Sequence, residues 1–265
     1  IKYFIKSIMI YFALPAYNEE NSIKYVFEKI QNVMTALQTE YFIIICNDGS
    51  TDNTLQEIIK YKNEKDIIIN HKMNRGLGET IRDLFEKFNA IASNDDFLIR
   101  LDCDNTHDPK IINNLINKIN SGYDVVVASR YVGNGGQKGF SFYRKFISLM
   151  ANQFMKFFFN IKGLKEYSSG YRIYTYEIID RAIKKYGNNF IQLKSFGFSC
   201  TLEKLVKLNL LGAKITEVPF VLRYDQKKSS SKMVSSITTL GYIVMVILCY
   251  WPFGGWFFSK KNNRK

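Results

Sequence analysis

The stretch "FLIRLDCDNTHDP", residues 97–109, decides how the chain is read. An apolar run of strand length ends in two aspartates, Asp102 and Asp104, with one cysteine between them. On an extended backbone, side chains at i and i+2 point to the same side, so the two carboxylates face together and Cys103 faces away. Carboxylates so placed repel each other unless a cation holds them. Oxygen donors without His or Cys suit Mg²⁺ or Mn²⁺, which normally share their shell with substrate phosphates. The alternative is simply the polar end of a strand, and the surrounding sequence has to choose.

Four more apolar runs of strand length share this region: residues 8–14, 41–46 ("YFIIIC"), 67–70 and 125–128 ("VVVA"). They are continuous rather than alternating, as strands buried on both faces are. Helical stretches lie between them at 21–37, 54–61, 78–91 and 110–120. Strand alternating with helix predicts an α/β fold, a mostly parallel sheet with helices on both faces. Asn18 or Asn21 can cap the first helix, and Asp108-Pro109 offers a cap followed by proline at the first helical position. Ligands of open α/β sheets bind beyond the carboxyl ends of the strands. Four of the five runs end in polar loops, "PAYNEEN", "NDGSTDN", "DCDNTHD" and "SRYVGNGGQKG", which marks that edge as the site.

Bulk properties narrow the function. Hydrophobic residues make up 46% of the 265, enough for a sizeable core. The net charge of +13 admits nucleic acid, anionic lipid or an anionic substrate. No nucleic-acid motif supports the first, and a Lys-, Ile- and Asn-rich composition accounts for part of the charge. Four separated cysteines and two histidines make a zinc site or a disulfide framework improbable, and point to a reducing, cytoplasmic compartment. No signal-peptide cleavage site is read near the start. "NRGLG" (74–78) is a glycine-bearing helix entry suited to close backbone approach at Gly76. It is neither a P-loop nor a dinucleotide fingerprint. Arg130, just past the fifth run, can reach a diphosphate or be a surface charge.

Beyond Gly139 the character changes. "FSFYRKFISLMANQFMKFFFNIKG" (140–163) carries aromatics and Met around much of its circumference, with Lys and Arg between, and suits either buried core or a membrane surface. Two more strands, in "EYSSGYRIY" and "GAKITEVPFVLRY", flank a helix at 196–208. Residues 233–258 carry no charge, which suffices to span a bilayer. Aromatics at one end and a Pro-Gly-Gly break leave a re-entrant or interfacial segment open, with a buried soluble helix as the alternative.

In order and spacing, "LPAYNEE", "NDGSTDNT", "NRGLG", "DCD" and "SRY" resemble family 2 glycosyltransferases with the GT-A (Rossmann-like) fold. "EYSSGYRIY", "GFSCTLEKLVK…GAKITEVPF" and "KSSSKM" resemble the dolichol-phosphate mannosyltransferase branch and its bacterial polyprenyl-phosphate relatives. The resemblance covers roughly residues 8–233. It implies a nucleotide-diphosphate sugar donor, with Pro15, Tyr17 and Glu19 lining the nucleoside, Asp48 beside the base or ribose, and Gly76 also at the donor. Asp102 and Asp104 would bind Mg²⁺ or Mn²⁺ and hence the diphosphate. Arg130, Arg144, Arg223 and Lys232 would surround the phosphates, with Asp104, Arg130 and Arg144 the catalytic set. It divides the chain into a GT-A domain, 1–226 (donor half 1–135, acceptor half 136–226), and a basic linker, membrane helix and basic tail, 227–265.

Three positions depart from the family pattern: Asn47 in the "DD" pair, Thr106 where a glutamine is usual, and Ser229 where a glycine is usual. The "ED" pair that supplies a general base for hydroxyl acceptors reads Glu203-Lys204. Glu203 is then either a remaining base or a salt-bridged helix residue. The resemblance thus implies metal-dependent inverting transfer of a hexose to a polyprenyl phosphate at the membrane, with the catalytic domain on the cytoplasmic side. The alternative is a family 2 enzyme with a hydroxyl acceptor in glycan or glycolipid synthesis. A third reading, a basic binding module with a decayed site, predicts that Asp102 and Asp104 are dispensable.

Overall fold

The computed structural model describes residues 8–229, 235–251 and 255–257. Its first half alternates β1 (Ile10–Ala16), α1 (Ile23–Ala36), β2 (Tyr41–Asn47), α2 (Thr54–Tyr61), β3 (Ile67–Asn70), α3 (Leu77–Ile91), β4 (Phe97–Arg100), α4 (Ile112–Asn120) and β5 (Val125–Ser129). There follow β6 (Gly136–Lys138), α5 (Phe142–Phe159), β7 (Arg172–Thr175), α6 (Tyr176–Tyr186), α7 (Ser199–Leu210), β8 (Ile215–Pro219), β9 (Val221–Arg223) and α8 (Ser235–Tyr250). Seven strands form one sheet in the order β3-β2-β1-β4-β7-β5-β8, and β6 pairs with β9 in a small second sheet.

All neighbours in the large sheet are parallel except at β7, which runs antiparallel to both β4 and β5. The apolar runs of β1, β2, β4 and β5 are buried on both faces, whereas β3, at the sheet edge, is only partly buried. Tyr11, Ala13, Ile44 and Leu98 meet α3, α6 and α7, while Phe12, Leu14, Ile45 and Ile99 meet α1 and α4. Each large buried aliphatic side chain contributes roughly 1.5–3 kcal/mol, so this two-faced burial fixes the sheet. The order reverses between β1 and β4, where an open α/β sheet opens its ligand crevice, and the loops after those two strands are neighbours there.

Local details refine the sequence reading. Asp108 caps the turn at Pro109, its carboxylate accepting from the Lys110 amide at 3.1 Å. Neither Asn18 nor Asn21 caps α1; Ser22 stands at that position without a side-chain cap bond. Asn18 instead accepts from the Thr51 amide at 2.8 Å, tying the loop after β1 to the loop after β2. Helix α6, directly abutting β7, and the small β6–β9 sheet are additions to the expected elements.

α5 presents an apolar face to the outside: Phe142 is 87% and Phe157 80% exposed, with Tyr143, Phe146 and Met150 also out. α8 buries Met245 and Cys249 against the domain, while Leu240, Ile243, Ile247 and Trp251 stay exposed. The Tyr250 hydroxyl donates to the Phe158 carbonyl, joining the two helices. The stretch Ser236–Phe257 is long and apolar enough to cross a membrane by length and composition, with a mean hydropathy of 1.6.

Candidate active site

β4 ends at Arg100, so Asp102 and Asp104 stand in the loop beyond the strand. The loop bends through Asn105, whose φ is +65°. Cys103 is buried, and both aspartates are partly open. Burial pushes the Cys103 thiol well up, which keeps it protonated and unsuited to bind metal.

Each carboxylate has its own support. Asp102 accepts from Arg100 Nη2 at 2.5 Å. Its backbone N–H donates to His107 Nδ1 at 3.0 Å, and burial lowers the His107 pKa, so that nitrogen is free to accept. Asp104 Oδ1 accepts from the Thr106 amide at 3.1 Å and the Thr106 hydroxyl at 2.6 Å. Thr106 therefore orients Asp104. Asp104 Oδ2 is salt-bridged to Lys227. Burial alone would raise the Asp104 pKa, but Lys227 and then His107 outweigh it and hold it low.

A divalent cation fits this donor set. Among the described residues no group of three or more His, Cys, Asp or Glu side chains could hold a metal. The chain thus offers the two carboxylates, leaving other positions to phosphate and water, as Mg²⁺ prefers. One of the two carboxylates, Asp104, is already paired with the Lys227 ammonium. Lys227 belongs to a strap laid over the loop. The Arg223 amide donates to the Thr106 carbonyl at 3.0 Å, Lys29 Nζ joins Asn105 Oδ1 (2.7 Å) to Gln226 Oε1 (3.0 Å), and the Ser229 hydroxyl donates to Glu19 Oε1 at 2.8 Å. The sequence gives no sign of Lys227, because its partner lies 123 residues away.

On the other side of the crevice, Pro15 closes β1, with Tyr17 half-buried and Glu19 buried beyond it. Asp48, expected beside the base or ribose, is buried and works as a staple. It accepts from His71 Nδ1 (2.7 Å), Asn74 Nδ2 (3.0 Å), and the amides of Arg75 and Gly76 (2.9 Å each). His71, unnoticed in the sequence, bridges onward to Asp83 at 2.9 Å. Gly76 is required by its φ of +88° at the entry to α3. The close approach in this motif falls at Gly78, where a Cβ would lie 2.5 Å from Lys194 Cα. The loop is thus shaped against protein, and holds Asp48 with its amides.

Arg130 leaves β5 and meets Glu166, a residue the sequence did not single out. Its Nε donates to Glu166 Oε2 (2.7 Å) and Nη2 to Glu166 Oε1 (2.9 Å) and Ser168 Oγ (2.6 Å). Nη1 donates to Gln137 Oε1 (3.2 Å) and Ser148 Oγ (3.1 Å). An arginine has five N–H donors, and here all five are engaged within the protein. Burial would raise the Glu166 pKa, but Arg130 overrides that and keeps it low. Arg144 is exposed at the start of α5, donating to the Tyr224 hydroxyl at 3.2 Å. Arg223 is partly exposed and paired with Asp225 at 2.8 Å. Lys232 lies outside the described residues.

Glu203 is wholly buried. Its oxygens accept the amides of Gln192 and Leu193, both at 2.8 Å, and the Lys207 ammonium at 2.5 Å. It is the salt-bridged helix residue, not a base facing the crevice.

Paired carboxylates at the switch point of a mostly parallel sheet, flanked by buried loops and arginines, define a GT-A transferase. The chain belongs to glycosyl transferase family 2, whose model matches residues 11–187. It is 29% identical to a dolichol-phosphate mannosyltransferase of Pyrococcus furiosus over 209 residues, 78% of this chain but only 54% of that protein. The chain therefore spans about half the length of that relative. It is 24% identical to the polyprenol monophosphomannose synthase of Mycolicibacterium smegmatis, covering 84% of this chain and 80% of that one. Among solved structures, glucosyl-3-phosphoglycerate synthase of Mycobacterium tuberculosis, crystallised with Mn²⁺, UDP and phosphoglyceric acid, superposes with a TM-score of 0.60. That match has 15% identity and covers 92% of this chain and 78% of that one. The same synthase was also crystallised with Mn²⁺ and UDP-glucose, at a TM-score of 0.60 and 16% identity, over 92% and 78% of the two chains.

Proposed function

We propose that the protein transfers a hexose, with inversion at C1, from a nucleotide-diphosphate sugar to a polyprenyl phosphate at a membrane surface. The observation that carries this reading is the burial of Glu203. A hydroxyl acceptor needs a general base, and the carboxylate at the family's base position is spent on two amides and a lysine. A phosphate monoester, with a second pKa of ~6, arrives already ionised and needs none. The names of the archaeal and mycobacterial relatives point the same way.

In this reading Pro15, Tyr17 and Glu19 line the nucleoside pocket, and Asp48 and Gly76 hold its wall. Asp102 and Asp104 would hold Mg²⁺ or Mn²⁺, which supplies charge neutralisation for the departing nucleoside diphosphate. Thr106 keeps Asp104 aimed. Arg130 is set by Glu166, and its Nη1, held only by neutral acceptors, is the part able to turn to an incoming phosphate. A charge-assisted bond is about twice as strong as a neutral one. Arg144, already exposed, guides the acceptor from outside, Arg223 lies on the strap side, and Lys232 completes the phosphate-binding set.

The exposed face of α5, with Arg144, Lys145 and Lys156 among its aromatics, suits the headgroup layer. α8 keeps one face on the domain and one apolar face out, which suits lying in the interface more than a free-standing span. The halves 1–135 and 136–226 then serve donor and acceptor, with the domain on the cytoplasmic side.

The test is transfer to undecaprenyl or dolichyl phosphate by the purified chain with Mn²⁺ and a panel of common nucleotide sugars. A labile glycosyl phosphate is the expected product. No transfer from any donor overturns the reading.

A further inference from the structure

Inward of Asp102, on the α7 side of the sheet, three basic side chains are packed into the interior. Arg100 closes β4, Arg172 opens β7, and the two are direct partners in the antiparallel register. Lys204 descends from α7 with its ammonium 4.4 Å from the centre of the Phe85 ring. All three residues are at most 1% exposed. Arg172 is tied to the fold, Nη1 to the Thr201 carbonyl (2.8 Å) and Nη2 to the Tyr167 carbonyl (3.0 Å). Arg100 has one hydrogen bond, to Asp102, and its buried Nε and Nη1 find no partner among the described residues. Gly170 makes room for that guanidinium: a Cβ there would come within 1.5 Å of Nη1.

Like charges placed directly opposite across a sheet repel, and buried charges lacking a counter-ion are strongly unfavourable. Burial first, then Arg100 and Arg172, push the Lys204 amine well below its ordinary value, with Cys200 and Asp102 acting against them. Among the described residues Asp102 is the one carboxylate hydrogen-bonded to this cluster, and it is also a proposed metal ligand. Arg100 and Arg172 thus face each other across the sheet beside a single hydrogen-bonded carboxylate among the described residues. Asp102 is 26% exposed, and the buried Arg100 is hydrogen-bonded to it from beneath.

The reading in which Asp102 and Asp104 hold the donor diphosphate places the sugar ring next to it, over this cluster. Hydroxyls of a neutral hexose would leave the positive charge standing, whereas a carboxylate would offset it and accept from one of the unpaired Arg100 N–H groups. We propose that the donor sugar is a hexuronic acid and that Arg100 and Lys204 are the specificity-determining residues that receive its carboxylate. This rests on the transferase function proposed above, and it would set the chain apart from relatives named for mannose.

Calorimetric titration of the full chain in detergent with Mn²⁺ tests it, comparing donors within one base: UDP-glucuronate with UDP-glucose, UDP-galacturonate with UDP-galactose, GDP-mannuronate with GDP-mannose. In at least one series the uronate should bind about ten-fold or more tightly than its neutral partner. Lys204→Met and Arg100→Met should each remove most of that preference. Methionine keeps an apolar stem against Phe85, and thermal unfolding reads the fold separately; if R100M does not fold, K204M carries the test. Equal or weaker uronate binding in all three series, or a preference that survives the variants, overturns the proposal. Transfer to lipid phosphate is scored apart. Neutral hexose transferred without uronate preference sinks only this inference, and uronate preference without lipid transfer sinks only the acceptor assignment.

Discussion

Two ion pairs flank the crevice, and they are built differently. In the Arg130–Glu166 pair every guanidinium hydrogen has an acceptor, and Glu166 also receives Ser168 and Ser169 amides at 3.0 and 3.1 Å. In the Asp104–Lys227 pair the cation stands on a strap held by a few single hydrogen bonds. A buried pair with all its lone pairs satisfied is a frame. In the proposed function, the pair made by one tethered ammonium is a place-holder that the metal cation would replace.

Breaking the frame should have the largest effect. Glu166→Gln leaves Arg130 buried without a counter-charge, and removal of one partner of a buried pair costs about 3–5 kcal/mol. Urea unfolding would read this, and a change near zero would show that the pair is not a frame. The pH dependence has a definite sign. Because the folded pKa of Glu166 is depressed, its contribution is complete above the ordinary glutamate value, and is lost as pH falls from there toward the folded value.

Next comes the open side. Asp104→Asn should lower turnover by roughly 100-fold or more with little loss of stability, because it sits on the replaceable pair. Mn²⁺ titration followed by electron paramagnetic resonance should show weakened binding; unchanged affinity would remove Asp104 from the metal set. Lys227→Ala should do the reverse and tighten Mn²⁺ binding in the absence of donor. The change should be about ten-fold, as expected for the loss of a competing charge worth ~1.4 kcal/mol. Ser229→Ala, which removes one hydrogen bond from the strap, should act in the same direction but by only a few-fold, given ~0.5–1.5 kcal/mol per bond. If Lys227→Ala weakens Mn²⁺ binding, the two pairs are not different in kind.

The same contrast explains what the sequence could disclose. Strands β1, β2, β4 and β5 are legible because burial on both faces forces unbroken apolar runs such as "YFIIIC". The strand-end loops are legible because polar side chains cluster there. Helix α6 is harder to see, although "YEIIDRAIKKY" is amphipathic with Glu177 early and Lys184 and Lys185 late. Thr175 is both the last residue of β7 and the cap of α6, so no turn signal separates them. The direction of β7 is set by its two neighbours rather than by its own residues. Asp102 and Asp104 could be named in advance because they are two residues apart. Lys227, Glu166 and His71 could not, since each acquires meaning only from a partner brought by the fold. The buried basic residues Arg100, Arg172 and Lys204 were equally hidden, because charged residues in sequence are ordinarily taken to be outside.

One consequence of the reversed strand concerns distance. β7 stands between β4 and β5, so the loop carrying the two aspartates and the loop carrying Arg130 start two strand spacings apart, ~9.5 Å. Hydrogen-bond ladders on both sides fix that interval, and no lengthening of a surface loop can change it. The sheet is therefore a ruler between the two loops. In the proposed function, whatever joins the departing diphosphate to the incoming nucleophile would have to fit that interval, with a single strand between its ends.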